Sequence, residues 1–137
     1  MRPIIARAIL GYLALNALIV GIWAQCAPRS FFNNFPGFGR MWVSVDGPFN
    51  EHLVRDVGGL NLALASLLVA AAYFLQRELV IASTVAALLY GVPHLIYHIA
   101  HRSILGTGDS VTSVGGLALF VLLPTWLLFA NLRRGTK

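Results

Sequence analysis

Residues 57–75, VGGLNLALASLLVAAAYFL, and residues 79–101, LVIASTVAALLYGVPHLIYHIAH, contain no Asp, Glu, Lys or Arg, and only Gln76, Arg77 and Glu78 separate them. Each stretch is long enough to cross a hydrocarbon core of ~30 Å, which takes about 20 helical residues. Lipid offers no water to bond free N–H and C=O groups, so a single spanning segment of this kind must be a helix. Two such helices joined by so short a polar turn form an antiparallel hairpin. The first of them is expected to begin at Asn50, a good N-cap, with Glu51 placed where the helix dipole favours an acid.

Two further apolar stretches flank the hairpin. One runs over residues 4–24 and the other over 111–131, with Asp109 and Ser110 offering a cap after the turn GTGD. The flank MRPIIAR has the character of a signal peptide, but Trp23 and Gln25 suit a cleavage or lipoprotein site at Cys26 badly, so the segment reads as a retained first helix. The expected fold class is therefore all-α, an integral membrane four-helix bundle. Its spans are about 4–24, 50–75, 79–101 and 111–131, within one domain over 1–137, and an aromatic outer loop occupies 27–49.

Composition points the same way. Of the 137 residues 58% are hydrophobic and 11% charged, whereas soluble domains carry about 25% charged residues. Mean hydropathy is +0.75. A soluble enzyme, a disordered tail and a disulfide-rich secreted domain are all excluded as readings. The net charge of +5 does not indicate nucleic acid, because the basic residues sit at the ends of apolar stretches. With four spans, Arg2, Arg7, Arg77, Arg133, Arg134 and Lys137 fall on one side and Arg29, Arg40, Arg55 and Arg102 on the other. The positive-inside rule then predicts a cell-membrane protein with both termini cytoplasmic. Its surroundings are the lipid bilayer and other membrane proteins or further copies of itself. Small residues, namely Gly58, Gly59, Ala63 and Ser66 in the second span and Gly115, Gly116 and Ala118 in the fourth, offer close helix packing.

Chemistry concentrates near the outer ends. His94, His98 and His101 follow one another at four and three residues and share a helical face. His52 and Asp56, four apart, share a face at the start of the second span beside Glu51 and Arg55. An inward-running helix and an outward-running one bring these groups to one membrane level, Asp56 lying ~9 Å and His94 ~10 Å inside their helix ends. Ionisable groups at such depth usually face a bundle interior or water cavity. His52, Asp56, His94 and His98, with His101 peripheral, form a candidate metal set. Its mixed nitrogen and oxygen donors suit Zn²⁺ or Fe²⁺ better than Cu(I). A bis-His haem would more naturally draw one His from each of two helices. In an enzyme, Glu51 or Asp56 would serve as base. The opposing reading is a structural hydrogen-bonded network joining the second and third spans. Pro93 predicts a kink just before His94.

The outer segment 31–42, FFNNFPGFGRMW, is rich in Phe and nearly uncharged. It reads as an interfacial anchor or as a lid over the histidines. Cys26 excludes an internal disulfide and reads as an inert thiol. Ser110, Thr112 and Ser113 lie near the outer ends, with no pairing to a His legible from spacing. No P-loop, GxSxG or dinucleotide-binding fingerprint is present.

NEHLVRDVG followed by GVPHLIYHIAH resembles a pattern in small uncharacterised four-helix integral membrane proteins of actinobacteria. The resemblance covers most of the chain, including the aromatic loop and the GTGD turn. It implies the four-helix fold and carries no catalytic residue. Three functions remain open at this point: a membrane protein whose cluster binds a metal ion or other cofactor such as quinone, a non-catalytic accessory subunit of a larger membrane complex, and a proton-coupled carrier.

Overall fold

The computed structural model describes residues 2–132. Five helices and one small hairpin follow in the order α1 (Pro3–Cys26), α2 (Pro28–Asn34), β1 (Pro36–Gly37), β2 (Arg40–Met41), α3 (Glu51–Phe74), α4 (Arg77–Ala100) and α5 (Thr107–Leu132). Four of these helices, α1, α3, α4 and α5, are long and apolar enough to cross a membrane. The all-α four-span architecture is thus as expected, with the fourth helix starting four residues earlier than its apolar run. Large apolar side chains such as Ile4, Leu15, Leu60, Leu89, Leu122 and Phe129 point away from the bundle. A water-soluble surface avoids so extensive an apolar coat; a lipid-facing one requires it.

Local chemistry sets the helix ends. Asn50 caps α3 as expected, its side-chain oxygen accepting from the Leu53 amide at 3.2 Å. Leu75 closes α3 in the left-handed region at φ 52°, and its amide bonds back to Ala71. α4 restarts two residues later and runs as one helix through Pro93.

The four spans pack as two main pairs, α1 with α3 and α4 with α5, with a smaller α3–α4 contact. The α1–α3 seam explains the first pair. Val54, Gly58, Asn61, Ala65 and Leu68 are buried on α3 at alternating spacings of four and three, the left-handed knobs-into-holes repeat. Opposite them α1 buries Leu10, Leu13, Ala14, Ala17, Gly21 and Ala24. Where lipid removes the hydrophobic drive between helices, such small residues let backbones come close enough for dispersion to act. Gly58 lies against the Gln25 backbone and Gly21 against Leu62.

The expected packing role holds for Gly58 but not for its companions. Gly59, Ala63 and Ser66 lie on the exposed side of α3, and a methyl at Gly115 or Gly116 would meet nothing within 4 Å. Gly91 serves α4–α5 instead, seating the Phe120 ring.

The segment 27–49 is more structured than a loop. α2 and the β1–β2 hairpin fold into a cap with its own core, in which Phe31, Ala24 and Val54 are buried beneath Trp23, Phe32, Phe35, Val43 and Phe49. Phe31 and Phe35 lie 4.9 Å apart, Trp23 meets Phe31 edge-on at 5.9 Å, and the Arg29 guanidinium sits 3.5 Å above Phe49. Aromatic pairs and cation–π contacts of this kind add stability beyond the area they bury. The hairpin turns through Phe38 and Gly39, at φ 58° and 75°, the paired left-handed geometry that matches strand twist in a two-residue turn.

Candidate functional site

The C-terminal end of α4 carries two aromatic ladders, because residues four apart stack one turn above another. On one side Tyr90 meets His94 edge-on at 5.3 Å, and His94 stacks on His98 with ring centroids 4.9 Å apart and planes 9° from parallel. This ladder is turned toward α5: Tyr90 packs on Phe120, and His98 Nδ1 shares a 3.2 Å hydrogen bond with Ser113 Oγ. On the other side Tyr97 stacks on His101 at 4.1 Å. His101 Nδ1 lies 2.9 Å from the Tyr97 carbonyl and donates to it.

The second ladder meets the cap. The Tyr97 hydroxyl donates to the Asp46 carboxylate, at 2.8 and 2.9 Å from its two oxygens. A further clasp joins Arg40 of β2 to Asp109 in the first turn of α5 at 3.0 Å. The cap is therefore fastened at two points to the α4–α5 pair, while its own core sits on α1 and α3. Between Trp42, Asp46, Tyr97, His98 and His101 lies a cavity of about 20 Å³, room for one water molecule. The Trp42 indole N–H is buried with no hydrogen-bond partner among the described residues.

The other expected ligands lie on α3. His52 Nε2 approaches Asp56 Oδ2 at 3.3 Å, with the two side chains 83% and 54% exposed. Glu51 accepts from Arg55 Nε at 2.9 Å, and a second nitrogen of Arg55 donates to the Gln25 carbonyl at the end of α1. Cys26 is an exposed free thiol.

The structure thus brings His52 to Asp56 and His94 to His98. Among the described residues no group of three His, Cys, Asp or Glu side chains is placed to hold a metal ion. The reason lies in the helix pairing. α3 gives its buried face to α1, which leaves His52, Asp56 and Glu51 on an open side. α4 turns the His94–His98 ladder to α5. Spacing along each helix is as expected, but the two faces serve different neighbours.

Two partners of the histidine-bearing helix were missed from sequence. Asp46 is the only acid between residues 27 and 49, and that isolation was a usable signal. Ser113 had no signal beyond its place near the start of the fourth apolar stretch. Against known proteins, no family model, curated protein or solved structure matches this chain.

Proposed function

We propose that this multi-pass membrane protein is a non-catalytic accessory subunit of a larger membrane complex, with its polar outer end structural. The observation that carries the reading is the open His52–Asp56 pair, 83% and 54% exposed on the side of α3 that neither α1 nor α4 covers. Ionisable groups within spanning helices usually face protein or a water cavity, so a partner subunit's helix is the fitting cover. The contacts of Tyr97, His98 and His101 support the same reading, because each bonds to a group of its own chain. Termini in the cytoplasm, favoured by six basic residues against four, would put this surface at the outer leaflet. Membership in the actinobacterial four-helix group that the sequence resembles fits this fold and adds no activity.

The test is a photo-crosslinking residue at His52, with Leu15 as a lipid-facing control, irradiated in native membranes. A discrete protein adduct at position 52, absent at 15, is expected; lipid adducts alone at both positions would overturn the proposal. A phosphatase reporter active at Asn34 and silent at Lys137 is expected for the orientation.

A second reading, a Zn²⁺ or Fe²⁺ ion or another cofactor at the outer end, is supported by the His94–His98 pair, whose i, i+4 spacing is that of two-His helical metal sites. It requires further ligands from a partner subunit or water. Metal above background in purified wild type and lost in His98→Ala would favour it over the structural reading.

A further inference from the structure

At the opposite end of the bundle, arginines answer the carbonyls that helix C-termini leave without partners. Arg7 of α1 donates from Nε to the Ala72 carbonyl in the last turn of α3, at 3.2 Å, and Arg77 reaches the Asn131 carbonyl near the end of α5, at 3.3 Å. Beside Arg7 the α1–α3 surface opens into a groove of about 810 Å³, walled by Gly11, Ala14, Val69, Ala72, Tyr73 and Phe74. Its size is that of a ligand site, typically ~300–1,000 Å³. The wall at Gly11 is open, a methyl there meeting nothing within 4 Å. Tyr73 and Phe74 stand at the mouth, 75% and 61% exposed, the placement of an interfacial aromatic belt.

The mouth also carries an uncompensated charge. The Arg7 guanidinium spends Nε on Ala72, and among the described residues no carboxylate pairs with it. Its two terminal nitrogens remain for an anion, and the fork they form matches a phosphate.

We propose that this groove binds one anionic glycerophospholipid, an acyl chain lying along Gly11, Ala14 and Val69 and the headgroup phosphate resting on the Arg7 guanidinium. The small-residue walls would also admit a helix. A helix packed there would bury Arg7 against apolar side chains with no counter-charge, which is costly. A lipid supplies chain and counter-charge together, at the depth where its phosphate lies.

Native mass spectrometry of the full chain in mild detergent tests this, with phosphatidylglycerol and phosphatidylcholine of identical acyl chains as probes. Wild type is expected to favour phosphatidylglycerol about fivefold, the weight of one basic side chain at an anionic lipid surface. Arg7→Gln should bring that ratio near one, whereas Arg2→Gln, the same charge change outside the groove, should leave it intact. Gly11→Leu, which fills open space without a clash, should weaken both lipids. An unchanged preference in Arg7→Gln, or an equal loss in Arg2→Gln, overturns the site. A wild-type dimer that Gly11→Leu turns into a monomer would assign the groove to a second copy and overturn it equally.

Discussion

Gly58→Ala should separate α1 from α3 at a point of close approach. A methyl at residue 58 would lie 2.6 Å from the Gln25 amide nitrogen and 3.0 Å from its Cα, where ordinary contact begins at 3.4 Å. The helices must therefore part by about 0.8 Å. Neither side yields easily: the obstructing atoms are backbone, and Arg55 ties α3 to the Gln25 carbonyl one turn away. Overpacking of this kind costs ~1–3 kcal/mol. Alanine also gains up to ~1 kcal/mol over glycine in a helix interior, which masks part of the loss. Gly59→Ala removes that ambiguity, because it brings the same gain at the next residue and meets nothing within 4 Å. The difference between the two variants then isolates the clash, and Gly58→Ala should be the less stable by ~1–3 kcal/mol. Reversible unfolding in mixed micelles on titration with dodecyl sulfate, followed by tryptophan fluorescence, gives both values. Equal stability of the two variants would refute the close approach.

Two further outcomes concern the cap. Tyr97→Phe and Asp46→Ala should each loosen the cap and raise hydrogen exchange over residues 42–48, with the double variant little worse than either single one. Full additivity would mean that the phenol–carboxylate contact contributes nothing. Phe38→Asn should stabilise the hairpin by up to ~1 kcal/mol, since a bulky residue is poorly suited to the left-handed region that Asn tolerates; at 99% exposure the ring packs on nothing that the change would lose, and a less stable Phe38→Asn protein in the same unfolding assay would contradict this.

What could be read from sequence was what depends on one segment at a time. Span number, the Asn50 cap and the short α3–α4 turn follow from apolar length, a capping side chain and three polar residues, and each needs only its own neighbours. The partner of each helix depends on comparisons between segments. Gly58 and Gly59 are indistinguishable as letters, yet one meets the Gln25 backbone and the other meets nothing. The buried alanines of α1, at Ala14, Ala17 and Ala24, carry the seam, although alanine in an apolar run excites no suspicion. The cap illustrates the same limit: FFNNFPGFGRMW reads as interfacial by composition, while its folding on itself depends on Phe31, Phe35 and Phe49 meeting across turns.

The histidine face shows where helical periodicity stops. Spacings of four and three place His94, His98 and His101 on one sector of α4, but they do not say which helix that sector addresses. Here α5 takes the His94–His98 ladder through Ser113 and Phe120, and the cap takes Tyr97 through Asp46. α3 is left with its small-residue face against α1 and its His52–Asp56 pair turned away from both neighbours. Since α3 enters where α4 leaves, the two polar groups share one end of the bundle without sharing a neighbour. The cap holds the end of α4 through Tyr97 and covers Val54 at the start of α3, but it leaves His52 and Asp56 exposed. A second protein therefore has more to contribute at His52 and Asp56 than at the histidines that first attract notice.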